Sequence, residues 1–130
     1  MTRHFIFVYG TLRRGGVRAM PDLFPNSRFV NEAQIGGSLY DLGAFPGLLL
    51  NESNSLVIGE VYEIDDEILY KLDEIEASTH YWRKQVEIPV GNSKETCWVY
   101  ESDRQRYSYD VLIPSGDWIE YARTDKGEHR

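Results

Sequence analysis

Apolar and polar positions divide the chain into short segments with a period near two, interrupted once by a helical period. His4 to Tyr9 is an apolar run rich in Phe, Ile and Val that stops at Gly10, and it reads as a central strand. Ser27 to Tyr40 reads as a long or bent strand, with a bulge or tight bend at Gly36-Gly37. Leu48 to Leu50 is a short strand after the turn region Asp41 to Gly47, and Asn51 to Asn54 is a polar turn. In the strand Leu56 to Ile64, Val57, Gly59, Val61 and Glu63 face one way, and Ile58, Glu60, Tyr62 and Ile64 the other. Trp82 to Val90 and Thr96 to Glu101 are two more strands, joined at Gly91-Asn92-Ser93. Gly15 to Asn26 is a loop with one helical turn near Met20 to Phe24, kept short by Pro21 and Pro25. A polar, aromatic loop follows from Ser102 to Asp110, then Val111 to Trp118.

The helical period covers Asp66 to Glu76, with Asp65 placed to cap it. Together Asp65 to Glu76 hold six acidic residues. Asp65, Asp66 and Glu67 suit a helix N-terminus, where the macrodipole favours negative charge. Asp73 and Glu74 are free to face water. With Ile68 set at zero and about 100° per residue, Leu72 falls at about 40°, Leu69 at about 100° and Ile75 at about −20°. Glu76 falls at about 80° on the same scale, inside that apolar stripe. A carboxyl withdrawn from water has a raised pKa and suits proton transfer near neutral pH. The plainer alternative is that the helix frays by Glu76 and the side chain swings out.

Several short strands around one helix predict an α+β domain. The glycine bends favour a small mixed β-barrel of approximately six strands with flanking helices over a flat sheet. Residues 1–123 are read as a single domain, and the charged stretch 124–130 as a mobile tail.

Composition narrows the function. The chain has 130 residues, 42% of them hydrophobic, which suffices for one core. The net charge is −7, and basic residues cluster only at Arg13-Arg14-Arg18 and Arg104-Arg106. That is too little to neutralise a run of phosphates, so nucleic acid is not an expected partner. Cys97 is the single cysteine and allows no intrachain disulfide. In an alternating strand it reads as a packed small hydrophobe more than as a nucleophile. There is no signal-peptide pattern and no apolar stretch of membrane-spanning length, so a cytoplasmic location and no membrane are expected. His4, His80 and His129 are scattered, which gives no metal site and no cofactor. Neither a nucleophile elbow nor a lysine-bearing phosphate loop is present.

One stretch is left over. After the first strand the chain reads Tyr9-Gly10-Thr11-Leu12-Arg13-Arg14-Gly15-Gly16. It is either a plain turn or a place where backbone N–H groups face a ligand. Tyr81, following the helix closely, is placed to reach the same space as Glu76, and Tyr107 and Tyr109 lie in a loop suited to a pocket or lid.

The ordered set of motifs resembles the γ-glutamylcyclotransferase-like superfamily, nearest to its small γ-glutamylamine cyclotransferase branch. The set runs from Phe5 to Tyr121: Tyr9-Gly10-Thr11-Leu12, Gly36-Gly37-Ser38-Leu39-Tyr40-Asp41-Leu42-Gly43, Phe45-Pro46-Gly47, Gly59-Glu60-Val61-Tyr62-Glu63-Ile64, Leu72-Asp73-Glu74-Ile75-Glu76, Tyr81-x-Arg83-x-x-Val86 and Ile113-Pro114-Ser115-Gly116-Asp117-Trp118. The resemblance implies a small barrel whose cavity binds a γ-glutamyl group along the Tyr-Gly-Thr-Leu turn, with Glu76 as the catalytic glutamate. It differs in Ala77, where members commonly have glycine, and in Val17-Arg18-Ala19-Met20, where many carry an Asn-His pair.

The resemblance implies an intramolecular acyl transfer of the transferase/lyase type. The α-amine of a γ-glutamyl compound attacks its own γ-carbonyl, releasing 5-oxoproline and an amine, without metal or cofactor. Glu76 is assigned both proton transfers. Tyr9, Gly10, Thr11, Leu12 and Tyr81 are assigned to substrate binding, and Arg13 to Gly16 to an exit loop without a role. The competing readings are a non-catalytic small-molecule binding module on the same fold, and a structural domain whose Glu76 region is filled by side chains.

Overall fold

The N-terminal apolar run forms β1 (Arg3–Val8) in the computed structural model, which describes residues 2–50 and 55–124. A helical turn α1 (Met20–Leu23) follows, then strands β2 (Arg28–Gly36), β3 (Ser38–Asp41), β4 (Pro46–Leu49) and β5 (Leu56–Asp65). Helix α2 (Asp66–Ala77), strands β6 (Tyr81–Val90) and β7 (Ser93–Ser102), and helix α3 (Trp118–Arg123) complete the order. The predicted turn at Asn51 to Asn54 lies outside the described residues, as does all of the predicted tail except Thr124. Among the described residues, no helix is long and apolar enough to cross a membrane.

Five strands form one mixed sheet in the order β2-β5-β1-β7-β6, and β3 and β4 form a separate two-stranded ribbon. β1 is central because its residues are wanted on both faces. Phe7 packs with Val57, Val61 and Val99 in one core, while Ile6 and Val8 join Tyr62, Ile64, Leu69 and Leu72 in the other. The first core also takes Ile35 from β2 and Ile88 from β6, the two edge strands. Opposite edges share one core only if the sheet curls around it. The edges are also tied by a side chain, since Gly91 N donates to Asn31 Oδ1 at 3.2 Å. The architecture is thus mixed α+β with a curled sheet, as the strand and bend pattern predicts.

The second core lies under α2. Asp65 caps this helix by accepting from Ile68 N at 2.9 Å. Its apolar stripe buries Ile68, Leu69 and Leu72, and Glu76 is buried with them. The alternation along β5 divides as expected, Val57 and Val61 to the first core, Tyr62 and Ile64 to the second.

Some local features differ from the sequence expectation or add to it. The segment Ser27 to Tyr40 is two strands in two sheets, parted at Gly37. A Cβ there would stand 3.1 Å from Leu49 O, so the chain turns hard against β4 where a side chain would crowd it. Asp73 keeps part of its side chain in water, but it also accepts from Tyr100 OH at 2.7 Å and lies 2.8 Å from Arg83 Nε. After Val111 the chain runs beside β3, with a bridge from Leu112 to Tyr40 and Ile113 N donating to Leu39 O at 2.8 Å, before α3. Helix α3 was not expected, although Asp117, which accepts from Glu120 N at 3.2 Å, is a readable cap.

Candidate active site

A cavity of about 50 Å³ opens at the end of β1, between the turn Tyr9–Leu12, the Phe45-Pro46 segment and the last turn of α2. Every residue that the sequence assigned to the site lines it: Tyr9, Gly10, Thr11, Leu12, Glu76 and Tyr81. Cavity and helix stripe meet at Glu76. The stripe turns this side chain inward until the residue is 9% exposed. Among the described residues, nothing hydrogen-bonds or ion-pairs with its carboxyl. Burial pushes its pKa up to about 7, partly opposed by the Arg18 guanidinium. The helix has not frayed at this point, and the cavity beside it is not filled by side chains.

The turn opposite is set by its carbonyls. Gly10 O accepts from Arg13 N at 3.0 Å, Thr11 O from Arg18 N at 2.9 Å and Leu12 O from Met20 N at 2.8 Å. The N–H groups of Gly10, Thr11 and Leu12 find no acceptor among the described residues. Buried donors are normally paired, so a row of three with none is a place prepared for an acceptor. The turn is held against Pro46 so closely that a Cβ on Gly10 would stand 2.6 Å from Pro46 Cγ.

The tyrosines are structural donors. Tyr81 OH donates to Pro46 O at 2.5 Å and Tyr9 OH to Tyr100 O at 2.5 Å. Burial raises the pKa of both phenols well above the ordinary value, with the other phenols and Glu76 adding to it. They stay protonated at neutral pH. That leaves Glu76 as the lining residue whose charge changes near pH 7. Tyr107 reaches this wall too, its ring packing on Phe45 and Tyr81 and its hydroxyl donating to Thr79 O. Tyr109 is engaged elsewhere, its hydroxyl 2.9 Å from Ser102 Oγ and 2.8 Å from Asp103 O.

Sequence reasoning did not assign Arg18, Phe45, Pro46 or Thr79 to the site, yet all four line the cavity. Phe45 and Pro46 stand in a quoted motif. Arg18 lies in a loop, where no periodicity indicates its direction. The loop Arg13 to Gly16 gains an explanation. Arg13, instead of facing water, is buried against Glu60 and Asp117, at 3.4 and 2.9 Å.

The curled mixed sheet thus carries one cavity lined both by a carboxyl without a partner and by a turn whose backbone N–H groups have no acceptor among the described residues. The chain belongs to the gamma-glutamyl cyclotransferase, AIG2-like family, whose model matches residues 6–120. A Vibrio cholerae protein with a provisional gamma-glutamylcyclotransferase name is 36% identical over 127 residues, covering 91% of this chain and 97% of its own. The gamma-L-glutamyl-butirosin B gamma-glutamyl cyclotransferase of Niallia circulans is 37% identical over 126 residues, covering 89% of this chain and 76% of its own. The crystal structure of YkqA from Bacillus subtilis superposes with a TM-score of 0.79 at 28% identity, covering 97% of this chain and 43% of that longer one.

Proposed function

We propose that this chain is a γ-glutamylamine cyclotransferase, which closes the γ-glutamyl group of its substrate into 5-oxoproline and releases an amine. The observation that carries this reading is the unpaired Glu76 carboxyl across the cavity from the open N–H groups of Gly10, Thr11 and Leu12.

In this mechanism the turn binds oxygen atoms of the γ-glutamyl group and bends it until the α-amine lies against its own γ-carbonyl. Holding two reacting groups of one molecule in that geometry removes much of the barrier. Glu76, as the carboxylate, takes a proton from the α-amino group. The nitrogen attacks the γ-carbonyl carbon, a C–N bond forms, and the turn N–H groups stabilise the charge that develops on the oxygen. The original C–N bond then breaks as Glu76 returns the proton to the departing amine. No water is consumed and the proton count balances. A pKa near neutrality suits both halves of this cycle.

The test is release of 5-oxoproline from γ-glutamyl amides by the chain and its Glu76→Gln variant. A loss of about 100-fold or more is expected, the usual worth of a positioned acid–base group. Full activity in the variant refutes the role of Glu76. Binding without any turnover by the wild-type chain refutes the enzymatic reading.

A further inference from the structure

Arginine is scarce in this chain's interior and almost always paired. Arg13 is buried against Glu60 and Asp117, and half-buried Arg83 pairs with Asp73 and stacks on Trp98. Exposed Arg3, Arg14, Arg28 and Arg123 also have carboxylate partners. Arg18 departs from this pattern. It is half-buried and lines the cavity, and among the described residues its guanidinium makes neither an ion pair nor a hydrogen bond. Its charge reaches Glu76 and Tyr81, but Glu76 is not its salt-bridge partner. A half-desolvated guanidinium with its donors unused is costly unless something binds them.

Its place in the cavity restricts what that something is. Val17, next to it, is 86% exposed, and Ala19 on the other side is buried. Arg18 itself is half-buried while Glu76 is buried, so of the two charged lining residues Arg18 is the nearer to solvent. The Gly10–Leu12 donors already serve the γ-glutamyl part of the substrate. The part that extends past the rim toward solvent is the leaving amine.

From this geometry we infer that Arg18 is a specificity-determining residue that binds an acidic group on the leaving amine. The preferred substrates are then γ-glutamyl amides of amino acids or other amines bearing a carboxylate, and a cationic amine such as a polyamine is repelled. The inference rests on the cyclotransferase reading for the orientation of the substrate. A planar guanidinium meets a carboxylate through two parallel N–H bonds, which favours the acid over its neutral amide.

The experiment compares γ-glutamyl-β-alanine with γ-glutamyl-β-alaninamide, ligands that differ only in the terminal group. Binding is measured calorimetrically on the Glu76→Gln protein with Arg18 retained, with Arg18→Gln and with Arg18→Lys. Turnover is measured on the same Arg18 series with Glu76 intact. With Arg18 present the acid is expected to bind about tenfold or more tightly than the amide, as charged hydrogen bonds do. Arg18→Gln brings the ratio toward one, and Arg18→Lys restores part of it. No preference for the acid, or a preference that survives Arg18→Gln, overturns the inference. So does an equal loss for both ligands, which would assign Arg18 to the carboxylate that every γ-glutamyl compound shares. The binding arm does not depend on catalysis, so absence of turnover refutes the cyclotransferase reading separately.

Discussion

The Arg13 guanidinium and the Glu60 carboxylate form a buried pair, Nε 3.4 Å from Oε2, with side chains 8% and 2% exposed. Glu60 is fully used: its Oε1 also accepts from Arg14 N at 3.1 Å and from Tyr62 OH at 2.9 Å. Arg13 continues to Asp117 Oδ1 at 2.9 Å, on the residue that caps α3. The loop that leaves the Gly10–Leu12 turn is thus fastened to β5 and to α3. A buried pair adds little net stability over an apolar one, but removing one partner strands the other. Glu60→Ala is expected to cost about 3–5 kcal/mol. Urea unfolding of the variant checks this, and a change under about 1 kcal/mol refutes the anchoring role.

Glu76 makes stability depend on pH in a direction unusual for a carboxylate. Its folded pKa is raised from 4.5 to about 7, so the folded chain holds a proton that the unfolded chain has already released. Stability from this group is therefore fully present below pH 4.5, declines as pH rises through the window to about 7, and is lost above it. At about 1.36 kcal/mol per pKa unit the whole swing is about 3 kcal/mol. Glu76→Gln has no proton to lose. Its stability relative to the parent is expected to improve between about pH 5 and about pH 8. Denaturant titrations across that range test it, and a constant difference means that Glu76 is not held in its protonated form.

Activity should carry the same signature. If Glu76 is the base, the acid limb of the kcat/KM profile falls near pH 7, well above an ordinary carboxyl. Arg18 favours the ionised form, so Arg18→Gln is expected to move that limb to higher pH. An unshifted limb shows that the Arg18 charge does not reach the reacting proton.

Gly10 is expected to tolerate no side chain without moving the turn. The Cβ of Gly10→Ala would lie 2.6 Å from Pro46 Cγ and 3.0 Å from Pro46 Cδ. Misplacing binding groups by about 1 Å costs about 100-fold in rate. The variant should fold, with 5-oxoproline release falling by about that factor. Undiminished release shows that the turn is not the substrate cradle.

Tyr81→Phe removes the hydroxyl that holds Pro46 O and leaves the ring in place. The stability loss expected is about 1–3 kcal/mol, because a buried carbonyl is left without its donor. Thermal unfolding measures it.

What the sequence discloses is what local periodicity can express. The cap at Asp65, the stripe Ile68-Leu69-Leu72 and the inward turn of Glu76 all follow from one helical period over consecutive residues. The alternation along β5 follows from a period of two. The pairing of Asp73 was not legible because its partners, Tyr100 and Arg83, come from strands outside the helix. The break at Gly37 was read as a bend within one strand because alternation says nothing about which sheet a strand joins. Arg18 escaped assignment because its place is set by one backbone bond to Thr11, within a loop that has no repeat. The turn Gly10–Leu12 was legible as a site only through the ordered family pattern; its own residues fitted a plain turn equally well.

The parallel pairing of β1 with β7, Phe5 beside Cys97 and Ile6 beside Trp98, governs when the site comes into being. β1 is made well before β7, so one of its flanks waits for a strand that comes much later in the chain. Contacts so distant along the chain close late in folding. Both the turn and Glu76 precede β7, so a growing chain carries the open N–H groups and the inward carboxyl before the strand that braces them. The Asp117 anchor on Arg13 comes later still. A nascent chain that stops short of Asp117 holds the chemical groups of the site without the frame that aligns them, and that frame is complete only once Asp117 has been made.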